Sequence, residues 1–424
     1  MKKIKILVAS VLCCAMGYTG YTAYEKMTMS EAKKSMIANV EALTSEETTY
    51  LKGRWRTVGC KPNVRTISDN AEMTFSSVEE IVFTDDLTSF IDTMLYIVPE
   101  MILPNPISKM LIDETGEIYM LGFRGDLTTC TSEGKKFRHF TNRGKAQNEY
   151  IKINDIALRK QPKELLLLDE HKVISFRIAD TLSFKTFYTP AGIPFDAIAP
   201  SGEENCWLFS AFPEHGEDIN KRKDYMLKLV NQNGEILKES IRREDVTFSM
   251  MNITQSANNT YYLKPQNANQ IFYALEQDSI VPRYKIDFGD QNIPARYFFD
   301  VANSDIATYM HAAYFKQPSF AHETQKHFYF KCAGPNAIEY NFLFDKKNPQ
   351  NKFGWINADQ TSNLYIIGAD ENYFYIVFDQ FQFEQYQNNK EKKNNPLYRY
   401  IMQSLDAESA FKHSEEIIIK IAFR

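Results

Sequence analysis

Residues 107–140 read ISKMLIDETGEIYMLGFRGDLTTCTSEGKKFRHF, and this stretch decides the fold. Residues 107–112 are rich in apolar side chains. Asp113-Glu114-Thr115-Gly116 turns the chain, and Ile118-Tyr119-Met120-Leu121 carries it back. A third run starts at Leu127. Ser132-Glu133-Gly134-Lys135 turns the chain again before residues 137–140. β-branched and aromatic residues suit a pleated, half-buried surface, and glycine at the turns admits positive φ without a Cβ clash. The pattern predicts a small antiparallel meander. Such a meander cannot bury its own faces and needs neighbours of the same kind.

The rest of the chain supplies them. Meanders are expected at residues 151–188, 195–239, 248–288, 297–344 and 363–424, each with short β-rich runs between Asn-, Asp- and Gly-bearing turns. Gly192-Ile193-Pro194-Phe195 and Asn292-Ile293-Pro294-Ala295 echo one another and are expected to precede innermost strands. The spacing falls near ~40–50 residues, the range of propeller blades. Six such units predict an all-β, six-bladed β-propeller of four-stranded antiparallel blades over residues 71–424. Ring closure requires a strand from one terminus to complete a sheet begun by the other. Ile417-Ile418-Ile419-Lys420-Ile421 is expected in the last sheet, with residues 78–84 as the N-terminal contribution. In that last unit, residues 398–402 read as a strand and residues 386–395 as a solvated loop.

Composition agrees. Of 424 residues, 44% are hydrophobic, and the 30 Phe and 24 Tyr favour strand over helix. The net charge of −5, from 54 acidic against 49 basic residues, shows no basic stripe, which argues against a nucleic-acid partner.

The N-terminus has its own character. Lys2, Lys3 and Lys5 precede a mostly apolar run over residues 6–16. Residues 1–23 therefore read as a signal peptide or an uncleaved signal anchor, the one expected contact with a membrane, and the remainder as exported: periplasmic, cell-surface or secreted. Residues 24–70 read as a short helical leader and linker, with a capping box at Thr28 and Glu31. In an oxidising compartment Cys60 and Cys130 become disulfide candidates, whereas Cys206 and Cys332 sit in apolar runs and read as buried small hydrophobes.

No nucleophile elbow, P-loop, dinucleotide fingerprint or H-E-x-x-H helix occurs. His322, Glu323 and His327 come nearest to the last, and their spacing reads better as a turn between strands. Asp155, Asp196 and Asp300 are expected near innermost strands, where carboxylates could converge on a hard cation or simply cap turns.

Two resemblances follow from these residues. Asn39-Val40-Glu41-Ala42-Leu43-Thr44 resembles the NVEALA motif found near the N-termini of small exported bacterial proteins. The order of elements from residue 90 to residue 155 resembles bacterial six-bladed propellers of the TolB-like and NHL-like type found in cell envelopes. It keeps Gly144, Glu149 and Tyr150 of a turn between the first two blades. A rigid ring with variable loops and no catalytic signature is expected to be a non-catalytic binding module without cofactor, whose partner is an envelope protein or a glycan. The alternative, implied by the likeness to six-bladed propellers of the calcium-dependent lactonase type, is a hydrolase or lyase with the metal held in the channel by Asp155, Asp196 and Asp300.

Overall fold

The computed structural model describes residues 73–76 and 81–424, apart from 101–102, 105, 179, 191–192, 211–224, 243–252, 258–259, 265–269, 295–310, 317, 349–350, 358–363, 365, 390–394 and 412–413. Residues 1–72 lie outside the described residues, and with them the expected leader, the NVEALA-like motif and Cys60.

Six antiparallel sheets form the molecule. Blade 1 comprises β4 (Ile107–Ile112), β5 (Ile118–Gly122), β6 (Leu127–Cys130) and β7 (Arg138–Phe140). Blade 2 holds β8 (Asp155–Arg159), β9 (Glu164–Leu168), β10 (Lys172–Arg177) and β11 (Asp180–Tyr188). Blade 3 holds β12 (Ala197–Ser201), β13 (Asn205–Phe209), β14 (Tyr225–Val230) and β15 (Ile236–Arg242). Blade 4 contains β16 (Ile253–Gln255), β17 (Tyr261–Leu263), β18 (Ile271–Glu276) and β19 (Ser279–Asp287). Blade 5 contains β20 (Pro318–Glu323), β21 (His327–Ala333), β22 (Glu339–Asp345) and β23 (Lys352–Asn357). Blade 6 contributes β24 (Ile366–Ala369), β25 (Phe374–Asp379) and β26 (Glu416–Phe423). The first strands β4, β8, β12, β16, β20 and β24 neighbour one another in that order and close back on β4. The ring of six blades is thus complete.

The turns are built as their sequences dictate. Asp113 Oδ1 accepts from the backbone N–H of Thr115 (2.7 Å) and Glu117 (3.0 Å), an Asx turn that holds β4 to β5. Between the blades the core is aromatic and aliphatic, with Trp207 and Trp355 both at 0% exposure. Polar ties cross the blade boundaries as well. Glu323 of blade 5 accepts from Tyr262 and Tyr284 of blade 4, and its other oxygen accepts from Lys346.

The N-terminal segment laces the outer rim. β1 (Met73–Ser76) adds to blade 4, parallel to β19. β2 (Val82–Phe83) adds to blade 5, parallel to β23, with the Phe83 ring against Tyr340 and Phe342. β3 (Ile91–Ile97) then takes the outermost place in blade 6, antiparallel to β26. This corrects the expectation for residues 78–84. The closing strand is β3, whose residues Thr93, Leu95 and Ile97 stand opposite Ala422, Lys420 and Ile418. Val82 and Phe83 instead pad the edge of the preceding blade.

Three further differences concern blades 5 and 6. The fifth unit runs on past residue 344 to β23, and its innermost strand begins at Pro318. Asn292, whose tetrapeptide was expected to lead straight into that strand, is instead bridged to Phe315. Residues 380–388 and 396–404 are helices, α1 (Gln380–Asn388) and α2 (Pro396–Ser404), followed by the short α3 (Ala407–Ala410). The aromatic run at 398–402 folds as helix because Asn395 caps the backbone N–H groups of Leu397 and Tyr398 and Pro396 occupies the first turn. Leu397, Tyr398 and Ile401 then share the buried face, and Tyr398 stacks on Tyr386 of α1 with ring centroids 4.3 Å apart.

Candidate functional site

The innermost strands of all six blades surround an axial channel, and within it lies a cavity of about 150 Å³. Ser108, Lys109 and Met110 from β4, Asn154 and Asp155 at the start of β8, and Asp196 and Ala197 at the start of β12 line one side. Ile253, Thr254 and Gln255 of β16, Phe320 and His322 of β20, and Ile367 of β24 complete it.

Asp155 is the electrostatic centre of this wall. Its two carboxylate oxygens accept from Lys109 Nζ at 2.8 and 3.0 Å, and Oδ2 also accepts from the backbone N–H of Ile198 at 2.8 Å. One side chain therefore ties blade 2 to blades 1 and 3. Burial pushes the carboxyl above its ordinary pKa, against the opposing pull of the Lys109 ammonium. Asp196 also lines the cavity, as the sequence predicts, with its backbone N–H on the carbonyl of Phe209. Asp300 lies outside the described residues. The structure thus brings two of the three sequence-predicted carboxylates to the channel. A hard cation wants converging oxygens free of competing positive charge, and Asp155 already holds an ammonium. Among the described residues, no group of three or more His, Cys, Asp or Glu is placed to hold a metal ion.

His322 stands opposite, in β20. Its ring donates to the backbone of Gln255 and lies parallel to Tyr329, with centroids 6.5 Å apart. Burial drives the imidazole pKa down to about 3. Nδ1 has no hydrogen-bond partner, which assigns the ring proton to Nε2, and Nδ1 itself is shielded from solvent. The channel wall therefore combines a compensated ion pair, a neutral imidazole, amide and hydroxyl groups from Asn154 and Thr254, and the ring of Phe320. That set suits hydrogen bonding to a neutral, hydroxylated group better than acid–base work. Sequence reading did not place Lys109 at the site and set His322 aside as part of a turn. The signal for Lys109 was a lone cation among the apolar residues of an innermost strand.

The turn carried by Gly144, Glu149 and Tyr150 packs against outer strands of blades 1 and 2, with Lys172 Nζ donating to Ala146 O and the Thr186 hydroxyl to Gln147 O. The N–H of Gly144 donates to Tyr150 O (3.0 Å), the N–H of Tyr150 donates to Asn142 O (2.9 Å), and Glu149 Oε2 accepts from the N–H of Ala146 (2.9 Å). A side chain at 144 would overlap the Glu149 carboxylate, which accounts for glycine there. The Tyr150 hydroxyl donates to Phe140 O.

Cys206 and Cys332 are buried in blades 3 and 5, as expected of small hydrophobes. Cys130 is also fully buried, in the core that β5 and β6 share with Ile97, Tyr375 and Ile418, and burial drives its thiol up to about 12. His322 and His327 sit on either side of a turn, on β20 and β21. No described helix is long and apolar enough to cross a membrane.

Comparison with known proteins adds to this geometry. No curated protein matches the sequence. Among solved structures, a Bacteroides fragilis protein described as a candidate exported protein is similar at 15% identity and a TM-score of 0.62, covering 83% of this chain and 100% of its own. At that identity the likeness is one of fold. A Bacteroides caccae protein of unknown function aligns at 10% identity and a TM-score of 0.33, covering 57% of this chain and 78% of its own. The extracellular domain of a candidate one-component system from B. thetaiotaomicron aligns at 12% and 0.32, over 62% of this chain and 29% of its own. A family model described as a 6-bladed beta-propeller, DUF5128, matches residues 130–376, more than half of the chain. With six blades closed around a channel and that match across blades 2 to 5, the chain belongs to this six-bladed β-propeller family.

Proposed function

We propose that this protein is an exported, non-catalytic binding module of the cell envelope, kin to the TolB-like and NHL-like propellers, and that its partner is a glycan or a protein bearing a hydroxylated group. The observation that carries the reading is the channel cavity. Its charged pair, Lys109 and Asp155, is internally compensated, while His322 Nδ1 is left without a donor. Lys109 supplies one ammonium hydrogen beyond the two bound to Asp155, Asn154 an amide oxygen and Phe320 an apolar face for a sugar ring. A rigid ring with loops at both ends is a scaffold that places recognition in loops and channel alike. Export is supported by the basic and apolar N-terminus and by the exported description of the similar B. fragilis protein.

The test is titration of the protein against a glycan panel by calorimetry, with Asn154→Ala and His322→Phe as controls. Binding that falls about tenfold or more in both variants supports the reading. Turnover of a lactone or ester after calcium loading, abolished by Asp155→Asn, would replace it with the hydrolase.

A further inference from the structure

The three rim strands advance with a fixed pitch. β1 begins at Met73, β2 at Val82 and β3 at Ile91, nine residues and one blade apart each time. All three run in the same sense as the outermost strands of their blades, because β1 and β2 are parallel to β19 and β23 and β3 takes the outermost position itself. Five residues suffice to cross from the end of β1 to the start of β2. The belt thus moves from blade 4 to blade 5 to blade 6.

The nine-residue phase continues upstream in the sequence. Val64-Arg65-Thr66-Ile67 begins nine residues before Met73, and Trp55-Arg56-Thr57-Val58 nine before that. Both share an apolar first residue and a third-place threonine with Val82-Phe83-Thr84 and Ile91-Asp92-Thr93. The residues between them, Gly59-Cys60-Lys61-Pro62-Asn63 and Ser68-Asp69-Asn70-Ala71-Glu72, are again five in number and rich in turn formers. One nine-residue step earlier the pattern ends, at Glu46-Glu47-Thr48-Thr49.

Blades 3 and 2 each end in a strand with one neighbour among the described residues. Among the described residues, β15 and β11 pair on one side only, with β14 and β10. They also carry four of the molecule's exposed large apolar side chains: Ile236 (40%) and Leu237 (53%) on β15, Phe184 (38%) and Tyr188 (60%) on β11. The outermost strands already covered by the belt, β19 and β23, carry none. An open edge with exposed apolar residues is a template for an added strand, and addition satisfies the edge through main-chain hydrogen bonds.

We propose that the outer edges of blades 3 and 2 are docking sites for this chain's own residues 64–67 and 55–58, which extend the belt to five of the six blades. The occupant is the same chain because the pitch, the direction of travel and the crossing length all fit, and no second molecule is needed.

The experiment uses the exported chain in full, from about residue 24 onward. Hydrogen exchange read by mass spectrometry should show amides of 55–58 and 64–67 exchanging about tenfold or more slowly than unstructured peptide. Leu237→Lys should strip that protection from 64–67 while leaving 73–76 unchanged. Leu237 is half exposed, so the variant folds. Trp55 gives a second readout, because Trp207 and Trp355 are both fully buried. Docking shields all three from acrylamide, and Tyr188→Lys should make one emission quenchable. Exchange of both segments at coil rates, or protection that survives Leu237→Lys, overturns the proposal. So does a Trp55 that quenches fully in the unmutated protein.

Discussion

Replacing Lys109 by methionine tests the channel's electrostatics directly. The ammonium lies 2.8 Å from Asp155 Oδ1, with side-chain exposures of 13% and 8%. At an effective dielectric near 20, that pair attracts by about 6 kcal/mol, and desolvation of both ions offsets part of the gain. Methionine fills much of the same volume but leaves Asp155 charged, buried and held by the backbone N–H groups of Ile198 and Ile156. Stranding one member of a buried pair costs about 3–5 kcal/mol, which is the expected loss at pH 8. The pH dependence separates this cause from lost packing. Burial already raises the pKa of Asp155 and Lys109 lowers it, so losing Lys109 raises it further. A carboxyl raised in the folded state contributes stability that is present at low pH and fades as pH climbs through the folded value. The deficit of Lys109→Met should therefore shrink between pH 8 and pH 5. In the double variant with Asp155→Asn the penalties should fall short of additivity by about 0.5–3 kcal/mol. Urea unfolding of the four proteins at both pH values measures all of this. A deficit that is flat with pH, or penalties that simply add, would refute the argument.

Two other perturbations follow from burial and backbone geometry. Burial holds His322 and His327 neutral, with pKa values near 3 and near 4 against an ordinary 6.5. The unfolded chain takes up protons that the fold refuses, so stability declines as pH falls from about 6.5 toward 4, by up to about 1.4 kcal/mol per pH unit for each histidine. His322→Phe should remove one such increment from the slope of unfolding free energy against pH over that window, and an unchanged slope would contradict the burial argument. Gly234 turns between β14 and β15 at φ +78°, and a Cβ there would overlap the carbonyl oxygen of Tyr188 in blade 2. Gly234→Ala should cost about 2–4 kcal/mol, from left-handed strain and a steric clash with backbone. Gly202→Ala, with positive φ but open space around it, should cost only the strain, and thermal melting of the two variants makes the comparison.

Much of the ring was legible in the sequence because the signals were local. Blades 1 to 4 follow from turn residues and β-rich runs alone, and both Cys206 and Cys332 were readable as core. The misreadings occurred where local preference and context disagree. Tyr398, Tyr400 and Ile401 suit a strand by composition, yet the Asn395-Pro396 start and the spacing of Leu397, Tyr398 and Ile401 make a helix that covers blade 6. Within β23, Gly354 interrupts an otherwise aromatic run, and a Cβ there would overlap the Asn341 carbonyl and crowd the Phe83 ring of the belt. Closure was predicted with the wrong strand because Val82 and Ile91 begin equally good β segments, and only the position of β26 decides between them. At the channel, Asp155 and Asp196 could be placed from their positions ahead of innermost strands. The partnership of Asp155 with Lys109 could not, since it joins residues from different blades.

The pairing of β3 with β26 joins residues more than three hundred positions apart. β3 is made long before β26, so blade 6 cannot assemble until the whole stretch from residue 91 to residue 423 is present. Until then β25 and β3 lack the strand that lies between them. The price of bringing such remote segments together falls on a single late event. A stop codon a few residues before Ile417 would therefore leave β25 and β3 each without the neighbour between them, and the truncated product would be prey for proteases that the complete disc resists.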